Sequence, residues 1–184
     1  MKFHEQSIDG AFLIEPQRIR DARGHFARMF CDDEFRQHGL EVRILQINSA
    51  FSPMAGTLRG LHWQVAPHEE LKLVGCVRGA VFDVIVDLRP ASPTYLRWCA
   101  AELTADNGLQ FLVPAGCAHG YQTMAPDTEL VYATTSRYAA AAARGARYDD
   151  PALAIEWPLP VAVISSNDAA WPHLRQDAVA SPLP

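Results

Sequence analysis

Apolar and polar residues alternate with a period of two along much of the chain, which is the pattern of half-buried β-strands. The alternation is clearest between Leu71 and Val86, where apolar positions recur on both sides of Arg78-Gly79. Gly79 supplies a turn there, because glycine tolerates a positive φ. The pattern predicts a β-hairpin around this turn.

Glycine, proline, asparagine and aspartate divide the chain into about eight to ten short strands, the number that a sandwich or barrel requires. The predicted strands and β-rich stretches cover 8–15, 25–30, 42–52, 56–79, 81–89, 95–103, 109–113, 118–124 and 128–138. A short helix is predicted from Asp32, as N-cap, through Phe35, with Gly39 as its stop signal. A second short helix or turn follows the cap signature of residues 165–168, and the alanines of 139–143 fit a helical turn and a loop equally well.

Length and composition indicate one globular domain, 1–184, with 49% hydrophobic and 20% charged residues. The net charge of −5 argues against a nucleic-acid partner, and no apolar run approaches the roughly 18 residues that a membrane span needs. The N-terminal residues do not resemble a secretory signal. The four dispersed cysteines are expected to be free thiols in a reducing cytoplasm, while the sequence alone leaves a disulfide pairing open.

Two motifs carry the candidate chemistry. They are Gly56-x5-His62-x-Gln64-x4-Glu69 and Gly108-x5-Pro114-x-Gly116-x2-His119. Together they resemble the paired motifs of the cupin superfamily of double-sheet jelly rolls. Gln64 stands where that pattern has a second metal-binding histidine, and a divalent metal needs about three or four good donors. Only His62, His119 and Glu69 are left as donors, so no metal site is expected.

A longer ordered series of motifs narrows the resemblance to one family. The series consists of Asp21-x-Arg23-Gly24-x-Phe26, Gln46-x-Asn48, Leu58-Arg59-Gly60-Leu61-His62-Trp63-Gln64, Lys72-Leu73-Val74, Pro114-Ala115-Gly116-Cys117-Ala118-His119-Gly120, Tyr132-x2-Thr135-x2-Tyr138, Asp150-Pro151 and Ile155-x-Trp157-Pro158. It resembles the dTDP-4-dehydrorhamnose 3,5-epimerase family, the cofactor-free cupins of deoxysugar biosynthesis. The resemblance extends from Ile8 to Asp168.

The resemblance implies an all-β cupin double-stranded β-helix (jelly roll) with short peripheral helices. Its core would cover about 40–138, its N-terminal strands 8–30 and its C-terminal tail 159–184. The implied state is a cytoplasmic homodimer in which N-terminal strands join the partner's sheet. The implied substrate is a nucleotide-diphosphate sugar, a 4-keto-6-deoxyhexose on dTDP or a close relative, inverted at C3, C5 or both for polysaccharide biosynthesis. No metal and no redox cofactor are implied.

The residues suit this chemistry, because epimerisation beside a ketone needs a base on one face, an acid on the other and a group that stabilises the enolate. His62 is the candidate base and Tyr132 the candidate acid. Asp168 would orient His62, and Lys72 would face the oxyanion. The resemblance assigns the remaining substrate-binding positions to Arg23, Phe26, Arg28, Gln46, Asn48, Arg59, His119 and Tyr138. Two alternatives stay open: Tyr132 as a core or interface aromatic, and Asp168 as a cap of the terminal helix.

The chain departs from the family pattern at four positions that line or approach the implied pocket. The pattern has glutamate at Arg28, glutamine at Glu70, glutamate at Ala143 and lysine at Asn167. These departures bear on substrate identity, because none is a proposed proton carrier. Arg28 only donates hydrogen bonds where a glutamate accepts them, which predicts a changed nucleotide preference. The alternative is that Arg28 turns outward to solvent or to an acid such as Asp32.

Two rival functions fit the same fold. One is a metal-dependent cupin dioxygenase or isomerase that uses His62, Glu69 and His119. The other is a cupin that binds sugar nucleotides without catalysis. A pure binding module has no need of a base and an acid on opposing faces, so the His62 and Tyr132 pair favours the enzyme.

Overall fold

Antiparallel strands make up most of the regular structure in the computed structural model, which describes residues 1–174. The strands are β1 (Lys2–Glu5), β2 (Phe12–Glu15), β3 (Arg18–Asp21), β4 (Gly24–Ala27), β5 (Gln46–Ser52), β6 (Thr57–Gln64), β7 (Lys72–Arg78), β8 (Ala80–Asp87), β9 (Trp98–Thr104), β10 (Gln110–Val113), β11 (Cys117–Thr123), β12 (Thr128–Thr134), β13 (Ala143–Gly145) and β14 (Val163–Ile164). The helices are α1 (Asp32–Gln37) and α2 (Ser166–Ala170). The prediction of an all-β fold with short peripheral helices is confirmed.

Two sheets form the body of the fold. The first has the strand order β1-β2-β10-β7-β12-β5, and the second has the order β13-β6-β11-β8-β9, with β14 parallel to β6. From β5 onward the chain mostly alternates between the two sheets, as in a jelly roll. Residues that are far apart in sequence therefore meet in the space between the sheets.

The main core lies between the two sheets and takes alternate residues from their strands. Val74 of β7 packs in this core with Val81 and Ile85 of β8. Leu73 and Val84 point the opposite way, into separate outer clusters, because successive side chains of a strand lie on opposite faces. Both faces of β7 and β8 are largely buried, so the half-buried strands expected between Leu71 and Val86 are not what the structure has.

Segments outside the two sheets cover their outer faces. Phe35 of α1 packs with Leu73 and Leu112 over the first sheet. Ala146 and Leu153 belong to the cluster over the second sheet. The apolar layers on either side leave the polar side chains of the inner strands to collect in one cavity between the sheets.

The N-terminal strands occupy two different places. β1 and β2 add to the first sheet of their own chain, where Ile14 pairs with Gln110 of β10. β1 is the first strand of this sheet, and the joining of N-terminal strands to a partner's sheet stays a prediction. β3 and β4 form a separate hairpin off both sheets, and Arg18 anchors it by donating a hydrogen bond to the carbonyl oxygen of Ala105 at 3.2 Å.

The ends of α1 follow its local sequence. The helix begins at Asp32, but its N-cap is Cys31, so the predicted cap is wrong by one residue. Gly39 follows the helix with a φ of 74°, as predicted for a stop signal. The N–H of Leu40 donates to the carbonyl of Phe35 at 3.0 Å, which completes a Schellman motif.

The cap predicted for residues 165–168 is confirmed. Ser165 is the N-cap of α2, and its side chain accepts a hydrogen bond from the N–H of Asp168. The alanines of 139–143 form a turn that leads into β13 rather than a helix. Several strands are shorter than their predicted ranges, namely those in 8–15, 25–30, 42–52 and 128–138. Backbone pairing across the sheet sets these ends, and local periodicity does not encode it.

All four cysteines are free thiols, as expected, and no disulfide joins them. Across residues 1–174, no helix is long and apolar enough to cross a membrane. The last part of the predicted tail, residues 175–184, lies outside the described residues.

Candidate active site

A cavity of about 710 Å³ lies between the sheets, and most of the predicted site residues line it. Strands β5, β6, β7, β11 and β12 supply its walls, together with side chains from the segment 163–171. The predicted residues that line it are Gln46, Asn48, Arg59, His62, Lys72, His119, Tyr132, Tyr138 and Asp168.

Strand register explains why these side chains share one cavity. Tyr132 of β12 lies between Asn48 of β5 and Val74 of β7 in the first sheet. Gln46 and Lys72 lie two residues away from Asn48 and Val74 on their own strands. Since residues two apart face the same side of a sheet, all of these positions point into the space between the sheets.

His62 on β6 and Asp168 on α2 form a hydrogen-bonded pair. Nε2 of His62 lies 2.6 Å from Oδ1 of Asp168, and the backbone N–H of Gly60 donates to Oδ2 at 3.3 Å. Ser165 caps the helix, so Asp168 is free to serve His62 instead of acting as the cap itself. Because Nε2 faces the carboxylate, Nδ1 is the atom of His62 that is left for proton exchange.

The surroundings of Asp168 favour its ionised form. Burial acts to raise the pKa of this carboxyl, and its hydrogen bond and attraction to His62 act to lower it. The N–H of Gly60 and the Ser165 cap add to the lowering, and the net pKa lies below the ordinary value. A carboxylate of this kind holds one tautomer of the imidazole and stabilises the imidazolium that forms when His62 takes a proton.

A second histidine–carboxylate pair lies beside the first. Nε2 of His119 on β11 lies 2.9 Å from Oδ1 of Asp83 on β8, and both side chains are buried. His119 is paired in register with His62 across β6 and β11. Sequence analysis missed Asp83, although a carboxylate inside an apolar strand signals a buried partner, since burying it unpaired is costly.

Lys72 on β7 is held between a carboxylate and a carbonyl. Its Nζ lies 3.2 Å from Oε1 of Glu70 and 3.4 Å from the carbonyl oxygen of His62. Both charged side chains are nearly buried, with 10% of Lys72 and 12% of Glu70 exposed. The ammonium is therefore fixed in the wall of the cavity, close to the backbone of the candidate base.

Tyr132 is a protonated phenol beside this pair. Burial raises its pKa, the negative charge of Glu70 raises it further, and Arg59 partly opposes both. The hydroxyl therefore carries its proton at physiological pH, which is the state that a proton donor needs. Tyr132 lines the cavity, so it is not only a core aromatic.

Backbone contacts fix the remaining polar residues of the cavity. Nη2 of Arg59 donates to the carbonyl oxygen of Phe51 at 3.0 Å. Oε1 of Gln46 accepts the N–H of Tyr138 at 2.8 Å, so the loop after β12 is tied to β5. Gln64, in place of the cupin metal histidine, accepts the N–H of Ala139 at 2.6 Å and thus secures the same loop.

Three predicted binding residues do not reach this cavity in their own chain. Arg23 is 90% exposed and pairs with Asp21, and Phe26 is 66% exposed at the hairpin. Arg28 lies beyond the end of β4, and its Nη1 is 3.2 Å from Oε1 of Glu34. Arg28 thus turns outward to a neighbouring acid, as in the alternative given above, and the acid is Glu34.

The candidate metal donors do not converge. His62 and His119 are engaged by Asp168 and Asp83, and Glu69 is an exposed residue that lines a different, smaller pocket. Among the residues that the structure describes, no three histidine, cysteine, aspartate or glutamate side chains are placed to hold a metal ion. The donor set that a metal-dependent cupin needs is not assembled.

Comparison with known proteins points to one family. The sequence profile described as dTDP-4-dehydrorhamnose 3,5-epimerase matches residues 5–176. A protein of Sinorhizobium fredii with the same description is 45% identical over 175 residues, covering 95% of this chain and 90% of that protein.

Solved structures agree with the sequence comparison. A dTDP-4-dehydrorhamnose 3,5-epimerase from Bacillus anthracis, with TDP and PPi bound, superposes with a TM-score of 0.92 at 39% identity and covers 94% of this chain and 99% of that one. A 3′-monoepimerase from Streptomyces bikiniensis, in complex with dTDP-quinovose, superposes with a TM-score of 0.85 at 36% identity. The match covers 92% of this chain and 86% of that one. The similar structures thus include a 3,5-epimerase and a single-centre epimerase.

Proposed function

The chain belongs to the dTDP-4-dehydrorhamnose 3,5-epimerase family and is an isomerase, and on that premise we propose that it epimerises C3, C5 or both of a nucleotide-linked 4-keto-6-deoxyhexose. The observation that carries the proposal is the pair of His62 and Asp168, which faces the same cavity as the phenol of Tyr132. Relatives with TDP or dTDP-quinovose bound support a dTDP-sugar as the substrate class.

The reaction begins at a carbon next to the C4 ketone. Nδ1 of His62 takes the proton from this carbon, while Nε2–H donates to Asp168 and keeps the imidazolium oriented. The electron pair of the broken C–H bond moves to the C4 oxygen and forms an enolate. The ammonium of Lys72, together with Arg59 in the same cavity, stabilises the negative charge on that oxygen.

Inversion follows when the new proton arrives from the other face of the sugar. Tyr132 donates its phenolic proton to the carbon, and the C4 ketone re-forms. The tyrosinate then takes a proton from solvent, and His62 returns its own proton to solvent. The cycle balances without an oxidant, a reductant or a cofactor.

We place the hairpin residues at the cavity of a second protomer. Arg23 and Phe26 point away from their own cavity, and the apolar side chains of Ile19 on the hairpin and Ile47 and Phe51 on β5 are exposed. β5 is the last strand of the first sheet and leaves one edge open. A homodimer would cover these apolar side chains and bring Arg23 and Phe26 to the partner's substrate.

The cellular setting follows from the thiols and the substrate class. Four free cysteines fit a reducing compartment, so we place the enzyme in the cytoplasm. Its product would feed deoxysugar and polysaccharide biosynthesis.

The test of the reaction is an NMR assay of dTDP-4-keto-6-deoxyglucose in D2O. Wild-type protein should wash deuterium into C3, C5 or both. His62→Ala should slow the exchange by about 100- to 10,000-fold, while Tyr132→Phe should retain some exchange and lose inversion. His4→Ala on the exposed face of β1 is the control. Unchanged exchange in His62→Ala would refute the role of the base, and binding of dTDP-sugar without exchange in wild type would favour a pure binding module.

The test of the shared site mixes two inactive variants. In an equal mixture of His62→Ala with Arg23→Ala/Phe26→Ala, about half of the dimers are mixed, and each mixed dimer has one intact site out of two. The mixture should therefore regain about a quarter of the wild-type kcat/KM. If the hairpin served its own chain, mixing would restore nothing.

A further inference from the structure

The carboxylate of Glu70 lines the cavity, and the reaction proposed above assigns it no role. Oε1 contacts Nζ of Lys72, and Oε2 accepts a hydrogen bond from Nε2 of Gln64 at 3.2 Å. Its neighbour Glu69 is exposed and lines the separate small pocket. Two adjacent glutamates thus face different surroundings, and only Glu70 belongs to the candidate site.

The position of Glu70 is fixed through Gln64. The amide of Gln64 is buried, and it accepts the N–H of Ala139. Its two N–H groups are shared among Glu70 and the carbonyl oxygens of His68 and Arg137. A side chain with so many backbone partners has one orientation, and it presents its N–H to Glu70 in that orientation. Glu70 is therefore a preorganised group and not a mobile surface charge.

Glu70 also changes the charge balance of the cavity. The charged and histidine side chains that line the cavity with it are Arg59, His62, Lys72, His119, Arg144 and Asp168. Of the two carboxylates among the described lining residues, Asp168 is committed to His62. Glu70 is therefore the carboxylate that offsets the cations at the cavity wall, and its charge reaches the phenol of Tyr132.

We propose that Glu70 is a positioning residue of the epimerisation, which orients the ammonium of Lys72 toward the C4 oxygen and moderates the positive charge at that point. The inference rests on the proposed function, because it takes Lys72 as the group that faces the oxyanion. Without Glu70, the carbonyl of His62 at 3.4 Å is the remaining described partner of the ammonium. Lys72 would then have several orientations, and misplacement of a catalytic group slows the reaction steeply.

Glu70→Ala tests the proposal, since it removes the oxygen that contacts the ammonium of Lys72. We expect kcat to fall by about 10- to 100-fold and KM to stay within about threefold, because the contact acts on the transition state. Glu70→Gln, the residue of the family pattern, keeps an acceptor oxygen for the ammonium and should lower kcat less. Glu69→Ala is the matched control and should behave as wild type. Wild-type kcat in Glu70→Ala would overturn the proposal.

The pH dependence of kcat distinguishes this role from a purely structural one, because loss of packing alone would leave the alkaline limb at its wild-type pH. The negative charge of Glu70 raises the pKa of Tyr132, so its removal should lower that pKa. The alkaline limb of the kcat profile should then move to lower pH in Glu70→Gln. An alkaline limb that stays at its wild-type pH would show that the charge does not face the cavity, and would overturn the proposal.

A double-mutant cycle identifies the partner. In a Lys72→Ala background, Glu70→Ala should cause no further loss of exchange at neutral pH, because the group that Glu70 orients is gone. An additional loss as large as in the wild-type background would overturn the proposal. Should Glu70→Ala unfold, Glu70→Asp is the substitute variant. It keeps the charge but shortens the reach, so kcat should fall while the alkaline limb stays, and wild-type kcat would overturn the proposal.

Failure of the proposed function has a different signature. If wild-type protein exchanges no deuterium into the sugar, the reaction itself is wrong. If wild type exchanges deuterium and Glu70→Ala matches Glu69→Ala, the reaction stands and the positioning role of Glu70 is refuted.

Discussion

A Cβ atom placed on Gly60 would lie 2.5 Å from the Cα of Gly120. The two glycines let β6 and β11 approach closely just beside the paired residues His62 and His119. Gly60 also has a φ of 121° and donates its N–H to Asp168. The close approach therefore aligns the strand that carries His62 with the helix that carries Asp168.

Gly60→Ala should destabilise the protein by about 2–5 kcal/mol. The new methyl group would meet backbone atoms, and an alanine would be strained at the φ of 121° that glycine adopts here. Urea unfolding measures the change. Gly75→Ala in β7 is the control, since its Cβ would meet only ordinary contacts, the nearest being Cγ of Gln110 at 3.5 Å. Equal stabilities for the two variants would contradict the close approach of the strands.

Asp168→Asn should weaken the acid dependence of stability. The pKa of Asp168 is lowered in the folded protein, so its contribution is present above the unfolded pKa, near 3.9, and is lost as pH falls through the lower folded value. Wild type should therefore lose more unfolding free energy than Asp168→Asn between about pH 5 and pH 3. Urea unfolding across this pH range measures the unfolding free energy of both proteins. Asp106→Asn is the control, because Asp106 is exposed. Parallel curves for wild type and Asp168→Asn would contradict the ionised pair.

Chelation should leave activity unchanged. The separate placement of Glu69 from His62 and His119 leaves too few donors in one place for a transition metal. The measurement is the epimerase assay after dialysis against a chelator, together with metal analysis of the purified protein. About one tightly bound metal ion per chain, with activity that follows its occupancy, would contradict this prediction.

The nucleotide preference should depend on Phe26 and not on Arg28. Arg28 is paired with Glu34, whereas Phe26 presents an exposed ring. Competitive binding of dTDP, UDP, CDP and GDP should give the same order for wild type and Arg28→Gln, and weaker binding of dTDP for Phe26→Ala, which loses a stacking surface. A changed order of nucleotide affinities in Arg28→Gln would contradict this expectation. It would support the prediction from the sequence that Arg28 contacts the nucleotide and changes the preference.

Much of the cavity could be predicted because its residues stand in dense local motifs. His62 and His119 stand in the two paired motifs and lie on β6 and β11, and the cap signature of residues 165–168 located α2. The partnership of Asp83 with His119 was not visible, because it joins β8 to β11 through long-range register. Local periodicity tells which face a residue takes but not which strand lies opposite.

The hairpin of β3 and β4 shows a second limit to what the sequence alone can predict. The strand predicted over 25–30 has its counterpart in β4, but β3, the other arm of the hairpin, was not predicted. Where the hairpin points depends on Arg18 and the carbonyl of Ala105, which are far apart in sequence. The short strands β1, β3, β13 and β14 were missed because too few residues remain for an alternating pattern to stand out.

The contact between His62 and Asp168 spans 106 residues of sequence, and the chain near Asp168 is attached to β6 by the two-residue strand β14. Such a segment opens with less free energy than the sheets on which it lies. As denaturant is added, activity should therefore disappear before the far-ultraviolet circular dichroism of the sheets changes. During refolding the order should reverse, so that the β-sheets form first and the working enzyme emerges only when this last segment docks.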